Sequence, residues 1–436
     1  MAKPVRYGKM KDSRIKWIGD IPKHWGTCRA KNSFMQSNEK GNVIPILLSA
    51  SQKYGMCPQT DLDGVVKVSE KVNLQDFKTV HKNDFVISIR SFQGGFERSD
   101  YEGVCSPAYQ VFHMVNSFDN NYLKWLFKST MFIDEMNSLT VGIREGKNIK
   151  YDDFANSVLP VPPIDEQKAI AAYLDDQNAQ IESLVADAKE CIDDYKKWRA
   201  AIIFEAVTKG LNPGVKFRKC RIEWINHIPE HWDTVRFVMY NWIRARLGWK
   251  GLKSEEYVDE GYPFLSAFNI VDNHLYWTPL NFVNQDRYDE SPEIKISIGD
   301  ILLVKDGAGI GKCARVDELP LGESTVNSSL AVITPNDKFD YKYEFYYLLG
   351  NVFQNIIARL RNGMGVPHLT QEAMKAIFVP VPTLDEQRQI AAYLDEKCAA
   401  IDEIIAEKES LIADLESYKK SLIYETVTGK RKVVGS

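Results

Sequence analysis

The sequence predicts an α+β protein of duplicated design: two mixed α/β domains separated by two long antiparallel coiled-coil helices, in a pseudo-twofold cyclic arrangement. Three observations predict it. A sixteen-residue stretch from Pro160 to Asp175 returns 220 positions later, from Pro380 to Asp395, with twelve positions identical. Each copy opens a heptad pattern too long for the face of a globular-domain helix. A second repeat, Arg14–Trp25 against Arg221–Trp232, ends both times in Ile-Pro-x-His-Trp. The division is 1–158 for the first domain, 159–212 for the first helix, 213–378 for the second domain and 379–436 for the second helix and tail.

In chain order, the entry segment comes first. Its second copy directly follows a long helix, whereas the first has none before it in sequence. If the unit is cyclic, the end of the second helix lies beside the N-terminus. The aromatic and proline content predicts a packed turn. His24 and His231 have no nucleophile or acid close in sequence, so neither reads as catalytic. From about Cys28 to Ser157, apolar runs such as Ile44–Leu48 and Asp84–Ile89 read as strands between Gly, Asn and Asp turns, with a helix at Asn121–Phe127. The second domain repeats the order through Phe264–Ser266, Gly299–Val304 and Ala331–Ile333 to a helix through Tyr343–Leu349.

At each helix start the prolines hold the approach extended, Asp165 or Asp385 caps, and acids fill the first turn. The first seam runs through Leu174, Ile181, Ala188, Tyr195 and Ile202, flanked by Val185, Ile192 and Ala206 on one side and Leu184, Cys191 and Trp198 on the other. The second runs through Leu394, Ile401, Lys408, Leu415 and Leu422, flanked by Ile404, Leu411 and Tyr418 and by Ile405 and Ile412. Helix one leads from domain one to domain two, so helix two must lead back, antiparallel, for the cycle to close. Running from about Ile164 to Val207, the first helix predicts a span of roughly 65 Å at about 1.5 Å per residue. Gly210-Leu211-Asn212-Pro213-Gly214 stops it.

Composition narrows the class. The 436 residues are 44% hydrophobic, ample for more than one core. Seven cysteines without a CxxC pair argue for a reducing compartment and against disulfides or a zinc site. No signal peptide or membrane-length apolar run is present, which predicts a cytoplasmic protein. The net charge of −4 hides an asymmetry. The helices carry 6 basic against 10 acidic and 8 against 11 residues, leaving the globular parts at 41 basic and 38 acidic. Overall charge therefore neither supports nor excludes DNA as a partner.

No adenosylmethionine or ATP motif is found. Asp306–Lys312 resembles a phosphate loop, but Cys313 stands where a magnesium-binding Ser or Thr belongs, so a turn bringing Lys312 near a phosphodiester is the better reading. Asp165-Glu166-Gln167-Lys168 has a nuclease-like look, but its duplicate carries Arg388 for Lys168, and a structural helix start explains both. No catalytic or metal-ligating residue is assigned. Base- and phosphate-reading candidates are Arg90, Ser91 and Gln93 on one Gly-rich loop and Lys305 and Lys312 on its counterpart, since Arg and Gln can pair bidentately with guanine and adenine edges. A second matched pair of basic loops offers Arg144 and Lys147 in the first copy and Arg359, Arg361 and Asn362 in the second.

With these residues in view the chain resembles a type I restriction-modification specificity subunit over essentially its whole length. The helix-start motif occurs twice at the family's spacing, and the order of variable domain, helix, variable domain, helix matches. The resemblance implies that each variable domain is a target recognition domain reading one half of a bipartite site in double-stranded DNA. It implies a helix pair acting as spacer, two methyltransferase subunits and ATP-driven restriction subunits as partners, and adenosylmethionine, Mg2+ and ATP held by those partners and not by this chain. Asp165, Glu166, Gln167, Asp385, Glu386 and Gln387 are the candidates for partner docking. The alternatives are a coiled-coil scaffold that does not bind DNA and a stand-alone DNA-modifying enzyme.

Overall fold

The computed structural model describes residues 5–40, 46–51, 54–62, 74–88, 95–116, 118–139, 149–246, 254–307, 309–361, 369–375 and 377–433. The chain forms two compact units: Met1–Lys189 with Glu409–Ser436, and Glu190–Lys408. Each unit therefore takes part of both long helices, which run unbroken over Ile164–Lys209 and Leu384–Val427.

In the first unit the entry segment forms an antiparallel pair, Met10–Asp12 with Asp20–Pro22. The strand Gly26–Arg29 pairs with Val158–Val161, so the domain's first and last strands close on each other immediately before the helix. A four-stranded antiparallel sheet follows in the order Phe34–Ser37, Gln110–Met114, Phe85–Ile87, Phe96–Arg98. Its core face is aromatic: Phe34, Phe85, Phe96 and Phe112 pack on Phe127, Phe132 and Phe154 from the helical segments. The predicted helix is Asn120–Leu126, capped by Asp119, whose carboxylate accepts from the backbone N–H of Asn121 and Tyr122 at 2.9 and 3.0 Å.

The second unit repeats this plan. Phe217–Lys219 pairs with His227–Pro229, and Asp233–Arg236 with Phe378–Val381. Its four-stranded sheet runs Asn241–Arg244, Leu330–Pro335, Ile301–Val304, Cys313–Arg315, the same order as in the first. Helix Tyr341–Leu349 is capped by Asp340 through Lys342 and Tyr343 N–H. Beside it lie a three-stranded sheet, Asn281–Val283, Tyr262–Leu265 and Thr325–Val326, and a small hairpin of Ile270–Val271 and His274–Leu275, where the first unit has the pairs Leu48–Ser51 with Gly55–Pro58 and Lys78–Val80 with Gly103–Cys105.

Within each unit the two long helices run antiparallel, as connectivity requires. In the first, Gln167 at the start of one helix and Val427 at the end of the other both bond the Asp119–Tyr122 segment, and Glu182 meets Lys419 further along at 3.2 Å. In the second, Gln387 and Val207 bond the Asp340–Tyr343 segment, and Arg199 meets Asp402 at 2.7 Å. The end of the second helix does lie beside the N-terminal segment: Lys432 N–H donates to the Val5 carbonyl at 2.8 Å, and Lys430 Nζ to that of Ile18 at 2.5 Å. Gly429, at φ +74°, is pressed against Pro22 and Trp25.

Two readings are corrected. The helices begin two residues earlier than caps at Asp165 and Asp385 predict, at Ile164 and Leu384, with Gln167 and Gln387 N–H bonded to the Pro163 and Thr383 carbonyls. Thr383 Oγ1 also accepts from Glu386 N–H, so Thr383 rather than Asp385 caps the second helix. Asp165 and Asp385 sit in the first turn, where negative charge is still favoured. The seam favours one of its two flanks, although Tyr418 on the other packs against the first unit's core. Ile192, Ala206 and Ile405 are buried, whereas Leu184, Trp198 and Leu411 are 53%, 53% and 43% exposed. At 100° per residue, a step of four stays 40° from the seam line and a step of three falls 60° to its other side. A stripe centred toward the former leaves the latter outside.

Candidate nucleic-acid interface

The hairpin joining the third and fourth sheet strands is equivalent in both domains. In the second, Gly311 N–H donates to Val304 at 2.9 Å and Val304 N–H to Lys312 at 2.8 Å, with Gly307 and Gly311 at positive φ. Gln354 Nε2, from helix Asn351–Arg361, donates to the Gly311 carbonyl at 3.0 Å and holds the loop down. A strand follows this Gly-rich turn where a phosphate loop would have a helix, so the nucleotide-site look-alike is a hairpin. Lys312 is exposed at its end. Lys305 is not presented in the same way: its side chain is 13% exposed and ion-paired with Asp306 at 2.7 Å.

Backbone bonds tie this hairpin to two further loops. Lys305 N–H donates to Ser329, the carbonyl of Lys305 accepts from Leu369 N–H, and Asn327 N–H donates to Leu265. Leu265, Asn327, Ser329, Lys305 and Leu369 therefore lie side by side along one rim of the domain. Arg361 (its side chain) and Asn362 lie outside the described residues. In the first domain, Ser88 N–H closes the matching hairpin on Gly95 at 2.8 Å. Arg90, Ser91, Gln93, Arg144 and Lys147 lie outside the described residues.

Arg359 is a correction. It was expected on a basic loop, but the helix runs to Arg361. Arg359 ion-pairs with Glu223 and lies over the Trp224 ring at 5.4 Å from its centroid. That makes it a tie between helix and entry segment.

The helix-start motif is likewise turned inward. Glu166 accepts from Tyr7 Oη at 2.7 Å and Trp25 Nε1 at 3.0 Å and pairs with His24 Nε2 at 2.5 Å. Burial opposes its ionisation, but the bonds from Trp25, Tyr7 and His24 outweigh that and hold the carboxyl below its ordinary range. Glu386 repeats the clip with Trp232 and His231, both at 3.0 Å. The histidines thus do have acid partners, more than 140 residues away in sequence. Gln167 and Gln387 are buried. Each accepts from the N–H of the capping Asp119 or Asp340 and donates to the Pro162 or Pro382 carbonyl. Of the six docking candidates, Asp165 and Asp385 alone are exposed; internal bonds occupy the other four.

A second duplicated contact fixes the short helix of each domain, and in the second domain a sheet strand as well, to the long helix. Asp175 accepts from Lys124 and Trp125 at 2.7 and 3.0 Å, and Asp395, at the matching place, from Arg315 and Tyr346 at 2.6 and 2.7 Å. Sequence reasoning missed this contact because its partners differ between copies.

Chemically, the arrangement suits recognition. Among the described residues no cluster of His, Cys, Asp and Glu could hold a metal ion, and no helix is long and apolar enough to cross a membrane. All seven cysteines are unpaired. The strongly perturbed acids are interior: burial drives Glu344 well above the carboxylate range and Glu97 up to about 8.

A family model described as the type I restriction modification DNA specificity domain matches residues 8–188 and 248–413. The MjaVIII specificity subunit of Methanocaldococcus jannaschii is 24% identical over 375 residues, 85% of this chain and 84% of that protein. The EcoKI specificity subunit of Escherichia coli is 21% identical over 415 residues, 90% and 83%. Among solved structures, a chain of a type I R-M system assembly superposes with TM-score 0.71 at 17% identity, covering 93% of this chain and 98% of that one. The HsdS subunit from Thermoanaerobacter tengcongensis gives 0.52 at 18%, covering 94% and 98%.

Proposed function

From the premise that this chain belongs to the type I restriction modification DNA specificity domain family, we propose that it is the non-catalytic specificity subunit of a type I restriction-modification complex in the cytoplasm. Its two recognition domains each read one half of a bipartite site in double-stranded DNA. The observation that carries this is the duplication itself: two sheets of identical strand order, each in a domain whose entry segment is clipped to a long helix by a Glu-His-Trp contact. Two copies of one scaffold with unlike loops fit two like tasks on different sequences.

The helix pair acts as the ruler. A 46-residue helix extends about 69 Å at about 1.5 Å per residue, long enough to serve two half-sites a helical turn or more apart. Methyltransferase subunits, two per chain, dock on the paired helices, with the exposed Asp165 and Asp385 on the docking face. Restriction subunits join that complex, and adenosylmethionine, Mg2+ and ATP are bound by the partners. Arg90, Ser91, Gln93, Arg144 and Lys147 serve one half-site, and Lys312, Arg361 and Asn362 the other. Co-expression with the methyltransferase subunit followed by mapping of methylated adenines tests this. A two-part motif with a fixed gap is expected, and exchange of residues 30–157 for another subunit's domain should change one part only. Methylation without the chain, or a change in both parts, would refute the reading.

A further inference from the structure

Phe268 stands 94% exposed on the second domain, the most exposed large apolar side chain among the described residues. It is not a floppy tip. The short turn Ala267–Asn269 that carries it is fixed by a capping box: Asn269 Oδ1 accepts from Ser266 N–H at 2.9 Å and Oγ at 3.2 Å. Asn269 Nδ2 donates to the Tyr276 and Pro279 carbonyls at 3.1 and 3.0 Å, and the Asn269 side chain is buried. Both ends of this amide are therefore used to hold one residue out of the surface. Val271 and Tyr276, about half exposed, flank it. The strand preceding the turn ends at Leu265, whose carbonyl accepts from Asn327 N–H, and from there the bonds run through Ser329 and Lys305 to the Lys312 hairpin. Phe268 thus stands three residues beyond the rim position Leu265, on the edge of the domain that also carries Lys305 and the hairpin ending in Lys312.

We propose that Phe268 is a base-step wedge of the second recognition domain, inserting between adjacent base pairs of its half-site. This rests on the DNA-reading function proposed above. A ring lying flat on the surface could do no more than touch a thymine methyl; one that projects with nearly its whole area clear can enter the stack, as apolar wedges do when they part a base step. The rigid turn lowers the ordering cost of presenting it. Insertion adds specificity where no hydrogen bond is made, because pyrimidine–purine steps unstack most easily.

The test uses the full chain assembled with its methyltransferase subunits and a duplex carrying the mapped target. 2-Aminopurine replaces adenine, one position at a time, in the second half-site. Wild type should raise the fluorescence at one step. F268A should abolish that rise and weaken binding at least tenfold, while F268L, which keeps a wedge, should retain most of both. The salt slope of binding should not change, since no phosphate contact is lost, and the first half-site's preference should stay the same. F268A binding within twofold of wild type with the same fluorescence would overturn the proposal, as would F268A failing to assemble with methyltransferase subunits in the absence of DNA, which would make this a protein-docking residue. Failure of the wild-type complex to bind the duplex would instead refute the DNA-reading function itself.

Discussion

Replacing Glu166 with Gln should loosen the first unit at the joint between its entry segment and its helix. The carboxylate takes bonds from Tyr7, His24 and Trp25 at 2.7, 2.5 and 3.0 Å. Hydrogen bonds to a charged acceptor contribute about 1.5–3 kcal/mol each, and the half-exposed His24 arm counts for less because water screens it. Tyr7 and Trp25 share Oε2 and His24 alone faces Oε1, so a Gln oxygen in the Oε2 place still accepts from both, but as neutral bonds of about 0.5–1.5 kcal/mol each, while its NH2 turns toward His24; the loss should be about 2–4 kcal/mol. Glu386 has two partners, His231 and Trp232, and one survives the same change; Glu386→Gln should cost about 1–2 kcal/mol. Hydrogen exchange by mass spectrometry on peptides spanning 14–25 and 221–232 reads the two joints separately. The pH dependence has a definite sign. The folded carboxyl of Glu166 lies below its ordinary value, so its contribution is present above the unfolded pKa, about 4.3. It is lost as pH falls through the folded value. The difference between wild type and Glu166→Gln should shrink below about pH 4. Equal protection of the 14–25 peptide in both proteins at neutral pH would refute the argument, as would a larger effect from Glu386→Gln than from Glu166→Gln.

Glu344→Gln should raise stability at neutral pH: burial holds the folded acid neutral while the unfolded one ionises, so wild-type stability falls as pH rises above about 4.3. A urea midpoint that drops at pH 7.5 would contradict this. Lys312→Ala should lower DNA affinity evenly across sequences and reduce the salt slope by about one, whereas Arg359→Ala, whose partners are Glu223 and Trp224, should leave gel-shift affinity unchanged. For the ruler, an insertion must avoid the end of the first helix, because Gly210 at φ +74° lies against Trp232 and Glu386. Three heptads added to both helices, after Lys189 and after Lys408, preserve the seam and add about 32 Å. That approaches one DNA turn of about 34–36 Å, so the best gap in a randomised-spacer methylation library should grow by nine or ten base pairs. An unmoved optimum with activity retained would exclude the helices as ruler.

The duplication, the two long helices, their stopping glycines and the closure of the second helix on the N-terminal segment were legible because they depend on local chemistry and on connectivity. Heptad spacing, the fixed φ of proline and a repeated aromatic motif need no knowledge of what packs where. Tertiary structure alone decided what the polar members of those motifs do. Glu166 finds Tyr7, His24 and Trp25, and Gln167 finds the cap of a helix 48 positions earlier. Nothing in the spacing of Asp-Glu-Gln indicates that its Glu and Gln are consumed internally. The helix end at Arg361 and the tie from Arg359 to Glu223 were hidden for the same reason. Phe268 shows the converse. In sequence, Leu-Ser-Ala-Phe-Asn reads as one more apolar stretch beside a strand. Which way a ring faces depends on how Ser266 and Asn269 lock the turn against Tyr276 and Pro279. A side chain's class follows from its chemistry, but its direction is set by the bonds that fix the backbone beneath it.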